Sequence, residues 1–178
     1  MKPAASDIVL LPDAGPLITL AYADALDVLF KPGWRVALVD MVLHEITRNQ
    51  TPTSDKLAQW VKRHNLTVLT TQTCAQYCQE MAQPGVSPQR KANLGELAVQ
   101  ETINQFALQQ PPQTAVFLFE DHRIAKASFF LPEPCQKIST RAFLMFLEQK
   151  GWIASASAIE RQAIQAGRAF SQLRFPAA

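Results

Sequence analysis

Long apolar runs are missing from this chain of 178 residues, and with them any segment able to cross a bilayer as a helix. The N-terminus offers one lysine and then an apolar stretch that Asp13 and Pro16 break early, a poor match to a secretory leader. The expectation is a cytoplasmic protein with no membrane partner. Cysteine is scarce: Cys74, Cys78 and Cys135 form an odd set without companion Cys or His residues at zinc-ligand spacing. That excludes a disulfide framework and predicts free thiols in a reducing compartment. Charge of one sign is also scarce. A net charge of +2 does not describe a protein that coats a polyanion with its whole surface. Nucleic-acid binding, if present, falls to local clusters: Lys62–Arg63–His64, Arg123 with Lys126, and Arg161, Arg168 and Arg174. Internal repeats, low-complexity tracts and signs of a second core are absent as well.

What is present is an alternation of short apolar runs and helical patterns. Strands are predicted at 7–12, 35–40, 66–71, 115–121 and 135–140. Helices are predicted at 16–30, after Asp40 through Arg48, around 57–63, and at 73–82, 93–109, 122–129, 141–150 and 155–173. Residues 83–93, rich in proline, glycine and charge, read as a loop. Strands separated by helices indicate an α/β domain with a small, mostly parallel sheet flanked by helices. Its length suits one core, with the domain over 1–155 and an extra C-terminal helix and tail over 156–178.

Acidic residues fall where such sheets place ligands, beyond the carboxyl ends of the strands. Asp13 follows the first strand, and Glu120 and Asp121 end the run "AVFLF". Glu45 lies on the helix after the second strand, and Glu96 in the first turn of the helix that Asn93 opens. Each has a plain structural reading. Asp13 suits a turn or helix cap, Glu45 a solvated surface with Arg48 beside it, and Asn93-x-x-Glu96 has capping-box spacing. Asp121 suits a cap for the next helix. Taken together, several carboxylates without a Cys or His cluster form a hard-oxygen donor set suited to Mg²⁺ or Mn²⁺. Such ions bind phosphate oxygens and activate water, the logic of metal-dependent nucleases.

With those residues in view, the chain resembles the PIN-domain family, and more narrowly the VapC-type toxin ribonucleases of bacterial toxin–antitoxin pairs. The resemblance rests on "LLPDAGPLITLA", "VALVDMVLHEITR", "NLGELAVQETI" and "VFLFEDHRIAKAS", in that order, with "ISTRAFLMFLEQKGWI" closing the domain. It implies a PIN-like fold and divalent-metal-dependent hydrolysis of RNA phosphodiesters. By the same resemblance, Asp13, Glu45, Glu96 and Asp121 are the catalytic and metal-binding acids, with Glu120 a further candidate ligand. Ser139 and Thr140 match the region that helps hold a metal-bound water. Arg48, Arg123 and Lys126 are the cations expected to position the RNA backbone. A homodimer and a small cognate antitoxin are the implied protein partners. The competing expectation is a catalytically silent PIN-like module that binds RNA or a protein. Glutamate stands at 96 and 120 where aspartate is frequent in the family.

Overall fold

A computed structural model describes residues 7–83, 93–120, 131–133 and 135–168. Its core is a five-stranded sheet in the order β3-β2-β1-β4-β5, every pairing parallel. The strands are β1 (Ile8–Pro12), β2 (Arg35–Val39), β3 (Thr67–Leu69), β4 (Thr114–Phe119) and β5 (Gln136–Ser139). The helices are α1 (Ala14–Tyr22), α2 (Asp40–Thr47), α3 (Pro52–Arg63), α4 (Gln72–Met81), α5 (Leu94–Ala107), α6 (Thr140–Gln149) and α7 (Ala156–Gln165). The predicted α/β class and mostly parallel sheet are therefore observed. The predicted helix 122–129 lies outside the described residues.

The three central strands carry almost unbroken apolar runs, as a parallel sheet covered on both faces requires. Leu10, Leu11, Leu38, Phe117 and Leu118 are fully buried there. Helix α5 packs across β2 and β4, and α6 packs on β4 and β5. Phe143, Leu144 and Leu147 of α6 complete that part of the core. The edge strand β3 is short and largely exposed, which leaves little backbone for unwanted strand pairing.

The predicted helix over 16–30 is split, for a visible reason. Asp24 takes a left-handed backbone with φ 51°, which ends α1, and a 3-10 turn at Leu26–Phe30 follows. Lys56 of α3 seals the break: its ammonium donates to the Ala21 carbonyl at 3.0 Å and to Asp24 Oδ1 at 2.6 Å. A cation at a helix C-terminus also opposes the negative end of the dipole. Helix α3 begins earlier than its apolar pattern suggested, because Thr51 and Ser54 form a reciprocal capping box with Pro52 at the first position.

Helix α4 has no fully buried residue; Cys74 and Tyr77 pack part-buried against the core, and polar ties hold its start. Asp40 accepts from the Thr71 amide and hydroxyl, both at 2.8 Å. Glu101 of α5 accepts from the amides of Gln72 and Thr73 at 2.7 and 3.1 Å, satisfying donors that a helix start leaves open. Burial opposes ionisation of Glu101, but these bonds and the Thr73 hydroxyl outweigh it and hold its pKa below the ordinary value.

The segment set apart by sequence as a C-terminal extension packs through α7 onto α1 and α6. Ala156, Glu160 and Ala163 are its buried positions. Glu160 is 4% exposed. Burial pushes its carboxyl up to about 7, Glu120 adds to the rise, and Arg141 opposes it. A folded-state pKa above the unfolded one gives stability that is full below the unfolded value. That stability is lost as pH rises through about 7. Glu160→Gln removes this dependence. The variant is expected to gain on the wild type by roughly 2–3 kcal/mol between about pH 5 and about pH 8. Urea unfolding at both pH values measures the difference; equal shifts at both would refute it.

Candidate active site at the carboxyl edge of the sheet

Strands β1 and β4 are neighbours, but the chain leaves them in opposite directions. From β1 it runs to β2 on one side, and from β4 it runs to β5 on the other. The strand order reverses between them, and the crevice beyond such a reversal is where open parallel sheets bind ligands. Asp13 sits on that crevice, directly after β1. Its amide donates to the Leu118 carbonyl at 2.9 Å, so strand pairing continues to the last residue before α1.

Asp13 is the N-cap residue of α1, with φ −75° and ψ 172°, yet its side chain makes no capping hydrogen bond. The turn-and-cap reading of this acid is not what its carboxylate does. The capping-box reading of Glu96 also fails. Asn93 adopts a left-handed backbone with φ 70° and makes no side-chain cap bond. Glu96 is half-buried in the first turn of α5.

Glu45 approaches the same helix start from α2. Its Oε1 accepts from the Gly95 amide at 3.2 Å, immediately before Glu96. Burial raises the pKa of this carboxyl against the opposing effects of the Gly95 bond, Arg48 and His44. The solvated reading therefore does not hold for Glu45, although Arg48 itself is exposed at the end of α2. Gly95 makes the contact possible: a Cβ there would lie 2.8 Å from Glu45 Oε2.

Glu120 is differently occupied. Its carboxylate accepts from the Thr19 hydroxyl at 2.8 and 2.9 Å and from Arg168 Nη2 at 2.9 Å. Its side chain is 9% exposed. Arg168 Nε also donates to Thr19 Oγ1 at 3.0 Å, closing a three-residue network. Gly15 allows α1 to lie this close, since a Cβ would meet Glu120 Cβ at 3.0 Å and Oε2 at 3.1 Å. The hydroxyls expected near a metal-bound water have local partners. Ser139 caps α6 by accepting from the Ala142 amide at 3.2 Å. Buried Thr140 donates to the Phe119 carbonyl at 3.2 Å.

Thus Glu45 lies against the backbone beside Glu96, and Asp13 and Glu120 lie at the ends of adjacent strands. Asp121, Arg123 and Lys126 are outside the described residues. Among the described residues, no group of three or more His, Cys, Asp or Glu is placed to hold a metal ion. In donor chemistry, Asp13, Glu45 and Glu96 fit a hard divalent cation, being all oxygen. By themselves they do not close a site. Roles for Thr19, Gly15 and Gly95, and the pairing of Arg168 with Glu120, were not assigned from sequence. The one available signal was spacing, since Gly15 and Thr19 are four apart and share a helix face. No protein-family model, curated protein or solved structure matches the chain.

Proposed function

We propose that the chain is a divalent-metal-dependent endoribonuclease of PIN type, acting in the cytoplasm as the toxin of a type II toxin–antitoxin pair. The observation that carries this reading is the place of Asp13: a carboxylate directly after β1, at the strand-order reversal. In this reading Asp13, Glu45, Glu96 and Asp121 hold one or two Mg²⁺ or Mn²⁺ ions. Such ions, when bound, would supply a water nucleophile at neutral pH and would offset charge on the phosphodiester. The protein's own part is placement. Gly95 admits Glu45 to the start of α5, and the β1–β4 pairing sets the height of Asp13 on the edge. Arg48, Arg123 and Lys126 orient the RNA backbone by contacts that position rather than specify. A homodimer and a small antitoxin covering the acidic edge are the partners proposed with it.

A second reading has its own observation. Glu120 is neutralised by Arg168, and the described acids close no three-ligand group, which suits a catalytically silent PIN-like module. One experiment separates the two. Purified protein is incubated with structured and unstructured RNAs in Mg²⁺, Mn²⁺ or EDTA, and Mn²⁺ binding is followed by calorimetry. Cleavage that needs metal and stops with EDTA supports the nuclease. RNA binding without cleavage, and without Mn²⁺ binding, supports the silent module and ends the nuclease reading.

A further inference from the structure

Three consecutive residues at the end of β4 are each fastened from a different element. Leu118 is held through its carbonyl by the Asp13 amide, from the start of α1. Phe119 is held through its carbonyl by the Thr140 hydroxyl, from the start of α6. Glu120 is held through its side chain by Thr19 of α1 and by Arg168, just beyond α7. Thr19 is fully buried, and the Glu120 side chain is nearly so. The fork of Arg168 spans both partners, Nε to the Thr19 hydroxyl and Nη2 to the Glu120 carboxylate. A charge-assisted pair of this kind is stronger and more directional than a neutral hydrogen bond.

We propose that Arg168 is a positioning residue for the carboxyl edge: with Thr19 it anchors Glu120 and so fixes where the chain leaves β4 at the strand-order reversal. The inference rests on the nuclease reading, and it gives the C-terminal helix a part in the site. Glu120 serves as a tether in this arrangement, its charge balanced by a guanidinium instead of a metal ion. Lysine is a poor substitute at this position, because an ammonium lacks the planar fork that meets hydroxyl and carboxylate together.

The test uses the full chain and reads two quantities: the Mn²⁺ concentration that gives half-maximal RNA cleavage, and the Kd for Mn²⁺ from calorimetry, which is expected to move with it. Residues that orient metal ligands typically change metal affinity by about 10–100-fold when removed, so Arg168→Ala is expected to raise that concentration about tenfold or more. Arg168→Lys is expected to recover part of the shift. Glu101→Gln weakens the polar tie between α5 and α4 just after β3, not at the β1–β4 reversal, and reports what a general loosening does. Its Mn²⁺ requirement is expected to match the wild type. Arg168→Ala with unchanged Mn²⁺ dependence, or a shift that Glu101→Gln reproduces, overturns the proposal. So does loss of all cleavage in Glu120→Gln while Arg168→Ala retains it, because Glu120 would then act as a ligand. Wild-type protein that neither cleaves nor binds Mn²⁺ removes the nuclease reading and this inference together. Cleavage by the wild type with an indifferent Arg168 removes the inference alone.

Discussion

Asp13→Asn is expected to lower metal-dependent RNA cleavage by at least about 10²-fold while leaving the fold in place. A cation at a phosphodiester is worth several kcal/mol of transition-state stabilisation, and each 1.36 kcal/mol is about tenfold in rate. Asparagine matches aspartate in shape and is as good an N-cap, so any capping propensity at this position is kept. Only the charge is lost. The carboxylate makes no capping bond in α1, so loss of a helix cap adds nothing to the change in stability. Cleavage rates at saturating Mn²⁺ and thermal unfolding of the same sample measure the two effects. A structural Asp13 predicts the reverse pattern, with cleavage retained and only stability altered. That outcome would remove the residue from the site.

Much of this edge was legible in the sequence because strand ends are legible. Apolar runs of β1, β2 and β4 are continuous, and the residue that follows each run must lie at the sheet edge. Hence Asp13 and Glu120 could be placed before any coordinates. Helix starts were less visible. The pattern 57–63 hid the true start of α3, which is set by Thr51, Pro52 and Ser54 and involves no apolar period. The split of α1 was hidden for another reason: a left-handed Asp24 is stabilised by Lys56, 32 positions away in sequence. Spacing rules see neighbours three and four apart, not partners of that separation.

The same limit applies at two acids of this edge. Asn93-x-x-Glu96 has capping-box spacing, but the backbone of Asn93 turns left-handed and the bond is not made. Glu120, at the end of a strand, was a candidate metal ligand by the family resemblance, and its ion pair was not visible. Its cation, Arg168, is 48 positions later, just beyond a helix read as an appendage. Local pattern locates a side chain on an element. Which charge it meets is decided by how elements pack, and α7 packing on α1 decides it here.

Gly95→Ala is expected to separate site geometry from stability more sharply than loss of a carboxylate does. Alanine is favoured over glycine by up to about 1 kcal/mol in a helix interior and by less in the first turn where Gly95 lies, so propensity alone predicts a modest gain. Against this, the new Cβ would lie 2.8 Å from Glu45 Oε2 and 3.2 Å from its Cδ and Oε1. Those atoms are the far end of a flexible side chain, so they give way at small energetic cost, and the 3.2 Å bond from the Gly95 amide goes with them. Losing one hydrogen bond costs about 0.5–1.5 kcal/mol, which roughly cancels the propensity gain. Net stability should therefore move by less than about 1 kcal/mol. The position of the Glu45 carboxylate does not recover. Displacing a positioning group by about 1 Å can cost about 10²-fold in rate, and a loss of that order is expected in Mn²⁺-dependent cleavage. Paired measurements of unfolding and cleavage decide it. A variant that keeps full activity shows that the contact between Glu45 and the start of α5 plays no part in the chemistry. A variant that loses activity only by unfolding shows that Gly95 is a packing residue.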